Sequence, residues 1–108
     1  MNGPSTAPDV YVLLVTLGRR PGDGLPEVAS GAAMLCYTAG RDEPEAVRET
    51  VAVLREAGLA PLDVEGHGTA AEMRADGLEI GAEEEALMAR ALAENAVIVA
   101  QMTPLFDA

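Results

Sequence analysis

Lysine is missing from this chain. All seven basic residues are arginine, they face 18 acidic residues, and the formal net charge is −11. Gripping nucleic acid through its phosphates requires a cationic face, so no nucleic-acid partner is expected. Anionic membrane surfaces are excluded on the same ground. Tryptophan is absent as well, and aromatics make up 3% of the residues. That leaves little to stack on bases or flat cofactors, and no cofactor is expected. One cysteine, Cys36, cannot close an internal disulfide, which suits a reducing, cytoplasmic setting. One histidine, His67, without a second soft ligand at metal spacing gives no metal site. No apolar run reaches the ~18 to 20 residues of a membrane span. The opening MNGPSTAPD lacks the cationic start of a secretion signal.

What is present is the composition of a folded globule: 49% hydrophobic and 23% charged residues over 108 positions. That length makes one domain able to bury a core without disulfides or metal. Residues 1–8, small and polar with two prolines, read as a disordered lead, and residues 9–106 as a single α+β domain.

Val10 to Leu17 (VYVLLVTL) and Ala32 to Ala39 (AAMLCYTA) read as strands apolar on both faces. Between them GRRPGDGLPEVASG, residues 18–31, carries four glycines and two prolines and reads as a long loop. Asp42 and Glu45 form a capping-box pattern with Pro44 in the first turn, and Gly58 ends the helix they start. Its buried stripe is expected to be Val47, Val51 and Leu54. Leu59 to Glu65 alternates and carries Pro61, Asp63 and Glu65, which marks an edge strand. Residues 69–81 read as a weakly structured connection with one helical turn at AAEMR. A second helix begins near Ala82, with Glu83, Glu84 and Glu85 at its positive end and Leu87, Met88, Ala91 and Leu92 as its apolar face. Ala96 to Met102 is the last strand, and Pro104 closes it.

The order β-β-α-β-α-β predicts a two-layer α+β sandwich, a four-stranded sheet with two helices on one face. It is similar to the ferredoxin-like group of folds, with the strand order left open. A sheet with one face in water should alternate apolar and polar residues, and these strands do not. Leu14, Met34, Cys36, Ile98 and Ala100 cannot all share the helix side with Val12, Leu13, Leu35, Val97 and Val99. The excess predicts a homodimer that covers the open face. The competing expectation is that residues 18–31 or 66–81 fold over it.

The stretch with the most chemistry is Val64-Glu65-Gly66-His67-Gly68-Thr69. VEGHGT resembles the VEAHGT histidine motif of β-ketoacyl synthases, with Gly66 in place of alanine. Those enzymes also need a nucleophilic cysteine in a motif of its own, whereas Cys36 sits mid-strand in MLCYT. GHGTAA also fits G-x-G-x-x-A, the pattern of a dinucleotide loop. The strand before it alternates like an edge, and Gly77 interrupts the helix after it, so the context of such a site is missing. His67 with Asp63 or Glu65 is a candidate general base, and Tyr37 is a further candidate. Otherwise VEGHGT is a strand-ending turn with its histidine in solvent. Arg19 and Arg20 are candidate anion binders.

Taken together, the residues predict a non-enzymatic binding or regulatory protein, acting as a homodimer or on a protein partner. The alternative is a small cofactor-free dimeric enzyme or small-molecule binder using His67 with its carboxylates. A third reading is an acidic antagonist of a basic protein.

Overall fold

The computed structural model describes residues 7–106. Most of the expected N-terminal lead, residues 1–6, lies outside the described residues. The elements in chain order are β1 (Asp9–Leu17), β2 (Gly31–Gly40), α1 (Glu43–Glu56), β3 (Pro61–Thr69), α2 (Ala70–Ala75), α3 (Ala82–Glu94) and β4 (Val97–Leu105). The four strands form one sheet in the order β3-β1-β2-β4, and every neighbouring pair is antiparallel. The α+β class and the four-stranded sheet stand as expected.

The helices are divided between the two faces of that sheet. Directly opposed residues of an antiparallel pair point to the same side. The pairs Leu13↔Cys36, Val15↔Met34 and Leu17↔Ala32 therefore share one face, and Val10↔Ala39 and Val12↔Tyr37 share the other. On the first face Val15, Leu17, Met34 and Cys36 cluster with Leu54 of α1. On the second, Val10, Val12 and Tyr37 cluster with Ala70 of α2 and with Met88 and Ala91 of α3. This corrects the expectation of both helices on one face, and with it the ferredoxin-like stacking. The physical reason lies in the strands themselves. β1 and β2 are apolar on both sides, and each side receives its own helical cover.

α1 approaches the sheet closely because small residues face it. Asp42 accepts a hydrogen bond from the Glu45 N–H at 2.8 Å and starts the helix as its capping pattern predicts. The buried stripe is Ala46, Thr50 and Leu54: Leu54 is buried as expected, and Ala46 and Thr50 take the places expected of Val47 and Val51. A Cβ on Gly40 would lie 3.1 Å from the Ala46 backbone nitrogen, so glycine there permits the contact. One turn on, the buried hydroxyls of Thr38 and Thr50 meet at 2.7 Å. Apolar patterning alone does not find a stripe that contains a paired threonine.

β3 is an edge strand, as its proline and carboxylates predict, but it does not stop at Glu65. It runs through VEGHGT to Thr69 and hands over directly to α2. The predicted strand-ending turn is in fact the end of the strand, bent by a bulge. The register shifts between Tyr11 and Leu13 opposite it, and Gly68 takes φ +90°. Thr69 then caps α2 in a capping box with Glu72. The helical turn expected at AAEMR is α2. β4 likewise extends past Met102 to Leu105, and Pro104 lies within it, opposite Ala32 on the sheet's outer edge, where a missing N–H is tolerated.

The 18–30 connection is ordered by one arginine. The Arg19 guanidinium donates to the Asp23 carboxylate at 3.0 Å and to the carbonyls of Pro26, at 2.9 Å, and Ala29. Asp23 also accepts the Arg20 N–H at 2.9 Å and the Leu25 N–H at 3.0 Å. The fold this imposes presses Leu25 into the α1-side core.

Candidate functional site

Asp63, Glu65 and His67 are exposed along the outer edge of β3. The His67 ring Nε2 lies 3.0 Å from Glu65 Oε1, with the two side chains 49% and 65% exposed. The strand brings histidine and carboxylate together because residues two apart share a side. Solvent reaches both, and they line none of the clefts described below. The flanking glycines serve the backbone. A Cβ on Gly66 would run into the Glu43 carboxylate of α1, and Gly68 supplies the positive φ of the bulge. Both motif resemblances therefore fall on an edge bulge followed by a helix of six residues.

Of the candidate anion binders, Arg19 is turned onto its own loop, and Arg20 is exposed and reaches across to α1. Arg19 spends its donors on Asp23 and three loop carbonyls, while Arg20 reaches the Arg55 carbonyl at 3.4 Å. The Arg19 guanidinium first, then the N–H groups of Arg20 and Leu25, hold the Asp23 carboxyl well below the usual carboxylate range. Cys36 is fully buried in β2, and burial pushes its thiol up to about 11. Among the described residues no three His, Cys, Asp or Glu side chains converge as a metal site. No described helix is long and apolar enough to cross a membrane.

The anion-binder candidate Arg20 lines a cleft of about 510 Å³ with Arg55, Glu56 and Pro61. Of the catalytic candidates, Tyr37 is the one that lines a described cavity. It projects from β2 toward α3, is 4% exposed, and sits beside a groove of about 340 Å³. Leu35, Ile80 and Met88 supply apolar walls, and Glu79 and Glu84 stand at the groove. Past Tyr37 and Leu35 the groove continues into a smaller cleft of about 120 Å³ that reaches Glu83 and, on β4, Ala100 and Gln101. Burial first, then the Glu84 charge, raise the Tyr37 pKa. A broader cleft of about 670 Å³ lies beside α1, where Arg41 and Arg48 are offset by Glu45 and Glu49.

A second feature is the outer edge of β4. Residues 96–106, AVIVAQMTPLF, carry no charge in a chain whose net charge is −11. Val99 and Met102 lie on the α1 face, opposite Cys36 and Met34, yet beyond the helix's cover, each 45% exposed. Leu105 and Phe106 extend the exposed apolar surface. The opposite edge, β3, carries Pro61, Asp63, Glu65 and a bulge, devices that keep strands from pairing. Sequence reasoning found the guarded edge from its alternation. It missed the unguarded one because a two-sided apolar strand reads as central.

The family described as "Domain of unknown function (DUF8846)" matches residues 10–106. No curated protein and no solved structure matches the chain.

Proposed function

The chain belongs to the DUF8846 family, and from its own surface we propose a non-enzymatic binding or regulatory protein of the cytoplasm that works as a homodimer. The carrying observation is the uncharged outer edge of β4, with Val99, Met102 and Phe106 exposed along it. This relocates the expected interface. The sheet faces from which a dimer was inferred are covered by the protein's own helices over β1 and β2, and the apolar surplus remains at an edge.

A second copy is the occupant that the chemistry favours. An edge strand presents a row of unpaired backbone donors and acceptors, and an antiparallel strand pairs with its own copy across a two-fold axis. Two copies of a chain at −11 repel each other, so a contact between them belongs where the surface is neutral, as it is over residues 96–106. A basic partner would be met by carboxylates, which this strand lacks. Pairing β4 with β4 would join two sheets into one of eight strands and pack Val99 and Met102 against their counterparts.

Sedimentation velocity at micromolar concentration tests the reading. The expected particle has twice the 11.2 kDa monomer mass. Val99→Asp with Met102→Asp should yield monomers, and Leu62→Asp on the β3 edge should leave the dimer intact. A wild-type monomer at that concentration refutes the reading.

A further inference from the structure

We propose that the groove between α3 and the sheet binds a small amphipathic ammonium ion, with its charged head between the Tyr37 hydroxyl and the Glu84 carboxylate and its apolar body against Leu35, Ile80 and Met88.

The Tyr37 hydroxyl is the first reason. A tyrosine hydroxyl that no protein group occupies keeps its donor and acceptor sites for water or a ligand. The hydroxyls of the buried threonines are spent within the protein. Thr38 and Thr50 bond each other, Thr50 also bonds the Ala46 carbonyl, and Thr69 caps α2. Tyr37 is 4% exposed, and among the described residues its hydroxyl has no partner. Nor is that oxygen sealed in the core, since no buried side-chain N or O atom is left unsatisfied. It therefore opens on the groove that its ring lines.

The charge around the groove gives the sign of the ligand. Glu79 and Glu84 border it and Glu83 borders its extension. Glu85, the fourth carboxylate of this region, is occupied by Arg74, and Glu79, Glu83 and Glu84 have no ion pair among the described residues. The N-terminus of α3 contributes a partial positive charge of roughly half a unit, which three carboxylates outweigh. A cation therefore gains here and an anion is repelled. The Tyr37 pKa is raised, so the phenol stays protonated at neutral pH and its oxygen can accept a hydrogen bond from an ammonium N–H.

Size and lining give the rest of the ligand. A volume of about 340 Å³ stands at the small end of small-molecule sites, which run from roughly 300 to 1,000 Å³ and combine apolar walls with a few placed polar groups. Leu35, Ile80 and Met88 are those walls. A short alkyl chain would cover them, and a fully hydrated inorganic cation would leave them wet. The ligand class is thus a primary amine with a compact apolar body.

Calorimetric titration with n-hexylammonium chloride tests the inference, with hexanoate and hexan-1-ol as comparators. Saturable binding of hexylammonium is expected, with hexanoate at least tenfold weaker. A hydrogen bond to a charged group sets the scale for Tyr37→Phe, a loss of about tenfold or more, and Glu84→Gln should weaken binding comparably. Glu49→Gln, on the opposite face, should leave affinity unchanged. Tyr37→Phe keeps the ring in the core, and its thermal transition reports whether it folds; Glu84→Gln, at the surface, carries the test if it does not. Absence of saturable binding, equal affinity for hexanoate, or unaltered affinity in the variants would overturn the inference. So would capture of a lysine-rich peptide without hexylammonium binding, which would make the groove a peptide site. The Val99→Asp, Met102→Asp monomer should bind hexylammonium as well as the wild type does, so this result is independent of the oligomeric state.

Discussion

Replacing Thr50 with valine should cost more stability than replacing Thr38, although the two side chains are equally hidden at 0% and 1% exposure. The asymmetry follows from one proton. Thr50 Oγ1 donates to the Ala46 carbonyl at 2.8 Å. A hydroxyl has a single hydrogen to give, so the 2.7 Å contact between the threonines must be Thr38 donating to Thr50. Thr50→Val then leaves the Thr38 donor buried with nothing to meet, a penalty of about 1–3 kcal/mol. Thr38→Val removes one ordinary hydrogen bond, roughly 0.5–1.5 kcal/mol, and Thr50 keeps its donation to Ala46. The double valine variant replaces both partners by apolar groups of similar shape and strands neither, so it should be less destabilised than the sum of the two. The coupling of neighbours that share one bond is of order 0.5–3 kcal/mol.

Urea unfolding followed by far-UV circular dichroism resolves these differences without a tryptophan. In thermal scans each kcal/mol should move the midpoint by about 4–8 °C for a domain near this size. A Thr38→Val variant as unstable as Thr50→Val, or a double variant equal to the sum of the singles, would refute the assigned direction of the bond.

The Arg19 clamp and the Cys36 thiol give further tests. Arg19→Ala should expose the amides of Leu25 and Ala29 to hydrogen exchange, and unchanged protection would show that the loop is held by other contacts. Because Arg19 holds the Asp23 carboxyl below its unfolded value of about 3.9, its contribution is present above that pH and is lost as pH falls through the depressed folded value. An NMR titration should find Asp23 ionised below pH ~3.9 and returned toward the ordinary range in Arg19→Ala. The Cys36 thiol, pushed up to about 11 by burial, should react with aromatic disulfides only as fast as the protein opens. Its folded pKa is raised, so stability from the neutral thiol is present below about pH 8.5 and declines as pH rises toward the folded value. Rapid stoichiometric labelling of the native protein would contradict its burial.

Local rules written in the sequence were obeyed locally. Asp42 caps α1, the acidic run opens α3, and Pro61, Asp63 and Glu65 mark an outer strand. What escaped was decided by partners far along the chain. Val47 looks as apolar as Ala46, and only the closeness of Gly40 puts Ala46 against the sheet. VEGHGT carries the letters of a turn, yet Gly66 is there for the Glu43 side chain and Gly68 for a bulge. Arg19 reads as a free cation in a mobile loop because its acceptors, carbonyls at 26, 27 and 29, leave no trace in residue type. The groove beside Tyr37 was invisible for the same reason. It exists only because the chain between α2 and α3 brings Glu79 and Ile80 over β2.

The doubly apolar strands posed a question with two physical answers, a second copy or cover by residues 18–31 or 66–81, and Ala70, Met73 and Ile80 of the latter segment do pack on the sheet together with α3. β1 and β2 are covered from both sides, with Leu13 and Cys36 at 0% exposure on the α1 face and Val10 and Tyr37 at 3% and 4% on the other. β4 is not. Val97 and Ile98 pack against the two cores, while Val99 and Met102 remain 45% exposed. A strand that served only to close the sheet could carry charge on its outer side at no cost to the core, as β3 does with Asp63 and Glu65. β4 carries none over residues 96–106, in a chain where 23% of the residues are charged, and the proposed pairing of a neutral strand across a two-fold axis would account for it. In the proposed dimer the β4 end of the Tyr37 groove, at Ala100 and Gln101, would lie beside the junction of the two sheets.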